Sequence, residues 1–357
     1  MNFLKSLFAG KTSEPDQTRV VLQRILETMR EGVIIVSGDT RIVVSNQPAY
    51  DAFGRNDGPL EGKRLTEVIR DLGVHDAFRR ALERSESSEV GFEIVGAENR
   101  KFKVRIGPVE LERERGAIGI FYDVTNIQRL ETVRQEFLSN ISHELRTPLT
   151  SILAFVETLE DGAINDQENN LHFLGVIRRN AERMHALIDD ILELSTIESG
   201  RVSIDRREVD LERLVAEVFM NLSNKAVEHG VALNNNVVPA ATVTADPIRL
   251  EQMLTNLVDN AIKFNVPNGA VTVKLDALTD KDAITVSDTG EGISSDHLQR
   301  IFERFYRTDR ARSREIGGTG LGLAIVKHLA RLHGGEIHAN SSPGNGASFI
   351  IELPRNS

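Results

Sequence analysis

Between residues 138 and 191 the apolar side chains alternate at spacings of three and four. Leu138, Ile141, Leu145, Pro148, Ile152, Phe155 and Leu159 form the first series. Past Asp161-Gly162, Leu174, Ile177, Ala181, Met184, Ile188 and Ile191 form the second. That spacing is the seam of a coiled coil. Two helices with such narrow apolar stripes cannot enclose a core by themselves. An antiparallel hairpin paired with a second copy gives a four-helix bundle, so the chain is expected to be a homodimer.

The remaining sequence is organised differently on either side of this hairpin. The whole chain has 357 residues, enough for two or three domains. Residues 1–19 read as a polar tail. From 20 to 125 a helix (Val20–Met29) leads to the apolar run Val33-Ile34-Ile35-Val36, and a strand over Ile42–Asn46 follows. Short helices come next, then strands over Gly91–Val95, Arg100–Pro108 and Ala117–Asp123. Two strands, small helices and three strands make an α+β module. Residues 126–202 hold a connecting helix, stiff because Leu130, Val133 and Phe137 pass into the hairpin without Gly or Pro. Gly200 and a strand-like Val202–Val209 mark a boundary, and 203–357 read as an α/β domain. There helices at Leu211–His229, Pro247–Phe264 and Gly322–Leu332 alternate with strands near Val231–Val238, Ala270–Leu275, Ala283–Ser287, Glu336–Ala339 and Ala347–Leu353.

Composition removes several function classes. A net charge of −10 supplies no basic face for nucleic acid. The absence of cysteine excludes disulfides, thiolate metal sites and cysteine nucleophiles. No run approaches the ~18 apolar residues of a membrane span. Residues 1–10 contain one Lys between a few apolar residues and read as a frayed end rather than an interfacial helix. The chain is expected in the cytoplasm, unless it is a piece of something longer.

The first chemistry lies in Phe137-Leu138-Ser139-Asn140-Ile141-Ser142-His143-Glu144-Leu145-Arg146-Thr147-Pro148-Leu149. With Leu138, Ile141 and Leu145 on the seam, His143 falls on the solvent side, where its imidazole is available as a nucleophile. Glu144 can hold the ring tautomer or accept its proton. Thr147 stands one turn on, and Pro148 removes a helical hydrogen bond, so a bend is expected there. A zinc-protease reading fails because histidine is needed where Thr147 stands. An isolated surface histidine is the bland alternative. The whole segment, however, closely resembles the H-box of histidine kinases. The resemblance implies that His143 is the phosphorylated residue, Glu144 its base, and Thr147 the residue that orients water for phosphatase activity.

Four further motifs follow. Asn256, Asn260 and Lys263 sit at i, i+4 and i+7 on one helical stripe, a set suited to hydrated Mg²⁺ and triphosphate. Asp288-Thr289-Gly290-Glu291-Gly292 combines a carboxylate that can accept from adenine's amino group with a backbone that a base can approach closely. Phe302-Glu303-Arg304-Phe305-Tyr306-Arg307 leads into Arg310, Arg312 and Arg314, read as a lid with guanidinium groups for phosphate. Gly317-Gly318-Thr319-Gly320-Leu321-Gly322 opens a helix, an anion site. Two decoys fail. The glycines from 318 to 322 lack the dinucleotide spacing, and Gly10-Lys11-Thr12 has Lys5 where a P-loop needs its first glycine.

Together these resemble the N, G1, F and G2 boxes of a histidine kinase, and Gly344-Asn345-Gly346-Ala347-Ser348-Phe349 its last glycine box. The resemblance implies a two-layer Bergerat-type α/β sandwich binding ATP and magnesium, with Asn260 as metal ligand, Asn256 assisting and Lys263 facing phosphate. It extends the expected nucleotide contacts to Asp288, Gly290, Gly292, Arg307, Gly318, Thr319, Gly320, Leu321 and Gly322. Upstream, "EGVIIVSGDTRIVVSNQPAYDAFG" and "GIFYDVTNIQRLE" resemble a PAS domain whose Asp123-Val124-Thr125 leads into a signalling helix; its ligand is not legible, and a role for His75 as haem ligand is the weaker reading beside an ordinary packing residue. The whole resembles a sensor histidine kinase of a two-component system, similar to phosphate-regulon sensors without their transmembrane part. Such a protein-histidine kinase autophosphorylates His143, passes the phosphoryl group to the receiver-domain aspartate of a response regulator, and also acts as its phosphatase. A chaperone-like clamp ATPase would have no use for the H-box, and a scaffold without turnover would not need Asn260, Asp288 and Gly320.

Overall fold

The computed structural model describes residues 16–54, 58–96, 99–111, 114–166, 168–200, 202–308 and 318–355. The tail motif Gly10-Lys11-Thr12 and, in the expected lid, Arg310, Arg312, Arg314 and Gly317 lie outside the described residues. The chain divides into two compact units, Met1–Gln135 and Glu136–Ser357.

In the first unit, α1 (Asp16–Thr28) precedes β1 (Gly32–Val36), β2 (Ile42–Ser45), α2 (Gln47–Phe53), α3 (Leu65–Val68), α4 (Leu72–Arg84), β3 (Ser88–Ile94), β4 (Arg100–Glu110) and β5 (Arg115–Asp123). The strands form one antiparallel sheet in the order β2-β1-β5-β4-β3. β4 shows why: Phe102, Val104 and Ile106 face inward while Lys101, Lys103 and Arg105 face water, the period-two pattern of a half-buried strand. Phe53, Phe92, Phe102 and Phe121 meet with centroids 5.0–6.3 Å apart, and Phe78 is fully buried beside them. Asn46, expected at the end of a strand, is instead the N-cap of α2. Its Oδ1 accepts from the Val33 and Ala49 amides, and its Nδ2 donates to the Leu26 and Glu31 carbonyls. One buried amide thus ties four segments together. His75 Nε2 hydrogen-bonds the Ile69 carbonyl at 2.6 Å, which ties the start of α4 to the end of α3.

At the exit of β5, Asp123 accepts from the Arg100 guanidinium (2.7 Å) and from the Thr125 amide and hydroxyl, while Thr125 Oγ1 accepts from the Lys101 amide. Burial works against its charge, but the hydrogen bonds from Thr125 and Arg100 outweigh it and hold the carboxyl below its ordinary range. The Asp-Val-Thr motif is a knot joining β4, β5 and the start of the long helix α5 (Thr125–Glu160).

In the second unit, the later part of α5 turns through a 3₁₀ turn (Ala163–Asn165) into α6 (Asn170–Glu198). Phe155 meets Phe173, Ser151 meets Asn180, and Glu144 meets Arg183, so the helices run antiparallel. Seam residues Pro148 and Leu159 are buried, but Leu138 (53%), Leu174 (51%) and Ile188 (44%) are exposed. On α6 the buried residues are Leu187, Leu194 and Ile197, which join the core of the following domain. The three-and-four spacing suits a hairpin packing on helices alone, whereas the C-terminal half of α6 turns a different face to a third layer.

That layer comprises β6 (Arg207–Asp210), α7 (Leu211–His229), β7 (Ala232–Asn235), β8 (Thr242–Ala245), α8 (Pro247–Lys263), β9 (Ala270–Ala277), β10 (Lys281–Asp288), α9 (Ser295–Leu298), α10 (Gly322–Leu332), β11 (Glu336–Ser341) and β12 (Ala347–Pro354). The main sheet runs β11-β12-β10-β9-β7, antiparallel except for the β7–β9 pair. Its Val271, Val273, Ile284, Val286 and Ile351 share one core with Val218 of α7, Leu250, Met253 and Leu257 of α8 and Ile325 of α10. This is the expected two-layer α/β arrangement. The expected strand over Val202–Val209 shrinks to Arg207–Asp210, and Val231–Val238 to Ala232–Asn235. β6 pairs only with the four residues of β8, a strand too short to show a period in sequence.

Candidate functional site

His143 lies on the exposed side of α5, as its place off the seam dictates. Pro148 is buried and the helix continues through it. The Thr147 hydroxyl donates to the His143 carbonyl at 3.2 Å, so the two residues share one turn. Glu144 is half-buried, and its Oε2 lies 3.5 Å from both Arg183 Nη2 on α6 and Arg307 Nη2. Arg307 is only 8% exposed at its side chain, so this carboxylate is held between two guanidinium groups.

The N-box helix α8 begins at Asp246, whose Oδ1 accepts from the Ile248 and Arg249 amides, with Pro247 in the first turn. One stripe, with Met253, Leu254, Leu257, Val258 and Ala261, is buried. Asn256, Asn260 and Lys263 are half-buried on the other side. Asn256 abuts Gly322, where a Cβ would lie 3.3 Å from the amide oxygen. The structure places Lys263 Nζ on Asp259 Oδ2 at 2.6 Å, and Lys225 also binds Asp259. Burial opposes the Asp259 charge, but the Lys263 and Lys225 ammonium groups hold its carboxyl below the ordinary range.

Asp288 ends β10 and accepts from the Gly290 amide (2.8 Å) and the Ala347 amide (3.1 Å). Burial dominates and raises its pKa. Gly290 passes so close to the end of α8 that a Cβ would lie 2.3 Å from the Phe264 carbonyl, and the Thr289 hydroxyl donates to Asn265. The last glycine box braces this loop from below: the Gly346 amide donates to Gly290 and the Gly344 amide to Glu291. Gly320, at φ +74, lies against the Phe305 backbone, and the Phe305 amide donates to its carbonyl at 2.9 Å. Gly318 is open, Gly292 packs on Ser342, and buried Leu321 caps α10. Two of the glycine loops therefore meet α8, Gly290 at its C-terminal end and Gly322 beside Asn256. Among the described residues, no hydrogen bond joins the His143 side chain to any of them.

Sequence reasoning missed the polar seam between hairpin and sheet domain. Thr319 Oγ1 donates to Asp190 Oδ2 at 2.6 Å. Arg249 Nη1 donates to Glu193 at 3.1 Å, and Glu198 meets Arg304 and His328. Phe137 packs on Phe305 under the Arg304 guanidinium. A further omission is His333, 1% exposed, whose Nδ1 donates to Leu329 and whose Nε2 accepts from the Asp246 amide, tying the ends of α8 and α10. Acids on a helix flank read as solvated positions, and only the second layer reveals their partners.

Comparison with known proteins follows the same order along the chain. Residues 22–124 match the PAS fold, 133–200 the His Kinase A (phospho-acceptor) domain, and 245–357 the histidine kinase-, DNA gyrase B- and HSP90-like ATPase family. The sensor protein kinase WalK of Staphylococcus aureus strain Newman is 33% identical over 354 residues, which is 97% of this chain and 57% of that protein. The chain thus spans little more than half the length of this relative. Another Staphylococcus aureus WalK sequence is 33% identical and matched over 83% of its own length. Among solved structures, histidine kinase ThkA in complex with response regulator protein TrrA shares the fold, with TM-score 0.52 and 24% identity over 94% of this chain and 98% of that one. Acinetobacter baumannii histidine kinase AdeS has TM-score 0.51 and 24% identity over 60% of this chain and 98% of that one. No helix among the described residues is long and apolar enough to cross a membrane. With a sensor kinase relative 33% identical and covered over 83% of its length, and with all three family models matched along the chain, the chain belongs to the sensor histidine kinase family.

Proposed function

We propose that the chain transfers the γ-phosphoryl group of ATP to His143 and then to an aspartate in the receiver domain of a response regulator. The observation that carries this reading is Glu144: next to the exposed His143, it reaches Arg307 of the nucleotide domain at 3.5 Å. A ring nitrogen of His143 attacks the γ-phosphorus, the bond to the ADP oxygen breaks, and Glu144 takes the ring proton once it leaves the two guanidinium groups. Asp288 accepts from the adenine amino group. Thr319 and the Gly320–Gly322 backbone hold phosphate at the start of α10. The neutral amide oxygens of Asn256 and Asn260 fit magnesium, which keeps most of its waters and, when bound, neutralises phosphate charge. Lys263 reaches phosphate only by leaving Asp259.

The exposed Leu138, Leu149, Leu153, Leu174, Ile188 and Leu192 of the hairpin fit a homodimer. ThkA's complex with TrrA supports docking of a response regulator. Thr147, one turn from His143, orients water for the phosphatase reaction. Residues 20–125 act as sensor, 126–202 as phosphotransfer part and 203–357 as catalytic part, in the cytoplasm, where ATP is available. Autophosphorylation with radiolabelled ATP tests the reading: His143→Gln and Asn260→Ala are expected to lose acid-labile label entirely. Label that persists in His143→Gln overturns it.

A further inference from the structure

Across the seam between hairpin and nucleotide domain, the donors and acceptors are sorted. The hairpin contributes carboxylates: Glu144, Asp190, Glu193 and Glu198. The nucleotide domain contributes Arg307, Thr319, Arg249 and Arg304. Two of these donors, Arg307 and Thr319, belong to the boxes assigned to phosphate. A carboxylate therefore already stands where part of the ATP charge would bind.

Asp190 is the clearest case. Its Oδ2 accepts from Thr319 Oγ1 at 2.6 Å, directly before the glycines that open α10. It lies within the field of the Lys263 ammonium on the N-box stripe. It also lines a cavity of about 290 Å³ with Gln252, Thr255 and Asn256 of α8. Burial raises its pKa, as expected of a carboxylate withdrawn from water.

We propose that Asp190 is an internal competitor of the ATP phosphates, holding Thr319 while the nucleotide domain is docked on the hairpin and giving it up when ATP binds. Resting on the nucleotide reading above, it makes ATP binding and undocking one reciprocal equilibrium. A carboxylate and a triphosphate cannot share Thr319 without like-charge repulsion, so each weakens the other by the same factor. Docking also pins Glu144 on Arg307, so the event that loads ATP is the one that frees the base beside His143.

The test is equilibrium binding of ATP to the full chain. Asp190→Asn, which retains a hydrogen-bonding group and removes the charge, and Asp190→Ala are both expected to tighten ATP binding by about 5- to 150-fold, the usual range of such coupling. A second measurement uses the absence of cysteine from the chain. Glu193→Cys with Arg249→Cys, across the same seam, is bridged with a short bismaleimide. ATP is expected to slow bridging, and adding Asp190→Asn to slow it without ATP. Wild-type ATP binding with unchanged or weaker affinity in both Asp190 variants overturns this inference alone. Failure of the wild type to bind ATP overturns the nucleotide reading with it.

Discussion

The aromatic core of the first unit and the polar seam of the second hold their layers by opposite means. Around β1 and β5, Phe53, Phe78, Phe92, Phe102 and Phe121 interlock, and the buried amide of Asn46 has all its groups used. At the seam, Glu144, Asp190, Glu193 and Glu198 face arginine, histidine and threonine donors, each of which a phosphate could also satisfy. A close-packed apolar core specifies one arrangement, whereas paired charges are exchangeable because desolvation offsets much of their attraction. The contrast places close apolar packing in the first unit and exchangeable polar contacts at the hairpin seam of the second.

The sharpest way to break the comparison is in the aromatic core. Phe121→Ala removes the ring at the centre of the cluster and is expected to cost about 3–5 kcal/mol, read as faster amide exchange throughout β1 and β5 with ATP affinity unchanged. A loss below ~1 kcal/mol contradicts a close-packed core.

An intermediate effect belongs to His333. Burial lowers its pKa below 6.5, and Nε2 must stay unprotonated to accept from Asp246. A depressed histidine contributes stability that is complete above its unfolded value and is lost as pH falls from there toward the folded one. The second unit should therefore weaken as pH drops below about 6.5. His333→Gln should cost about 1–3 kcal/mol at neutral pH and flatten that dependence. His328, lowered mainly by burial beside Glu198 and Arg304, leaves a residual slope. An unchanged slope in thermal scans of the variant contradicts the assignment.

The smallest effect is at the seam itself. Arg304→Ala deletes the contact with Glu198 and the cation–π contact with Phe137. It is expected to cost no more than about 1 kcal/mol of stability. It should nevertheless speed hydrogen exchange of the α6 amides near Glu198, because the pair no longer holds that end of the seam. A cost comparable to Phe121→Ala erases the distinction between core and seam.

Much of this was legible in the chain. Period-two alternation in Arg100–Pro108 and the i, i+4, i+7 stripe of Asn256, Asn260 and Lys263 report directly which way side chains point, since local geometry fixes both. His143 off the seam is exposed for the same reason. The glycine boxes were legible as turns, but their mutual bracing, with Gly346 on Gly290 and Gly320 on Phe305, was not, because it joins segments distant in sequence.

What the sequence determined alone is therefore the kind and order of the main elements and which side of each helix its polar motif residues occupy. Hydrophobic period and glycine placement are local properties, and they survive any rearrangement of layers. Which acid meets which donor was decided only by tertiary structure. Leu187, Leu194 and Ile197, not Ile188, turn inward because a third layer covers α6, and that rotation carries Asp190 to Thr319. Lys263 is drawn to Asp259 by proximity within one helix turn rather than left waiting for phosphate. A charged side chain's partner depends on what packing brings within a few ångströms, and no spacing along the chain encodes that.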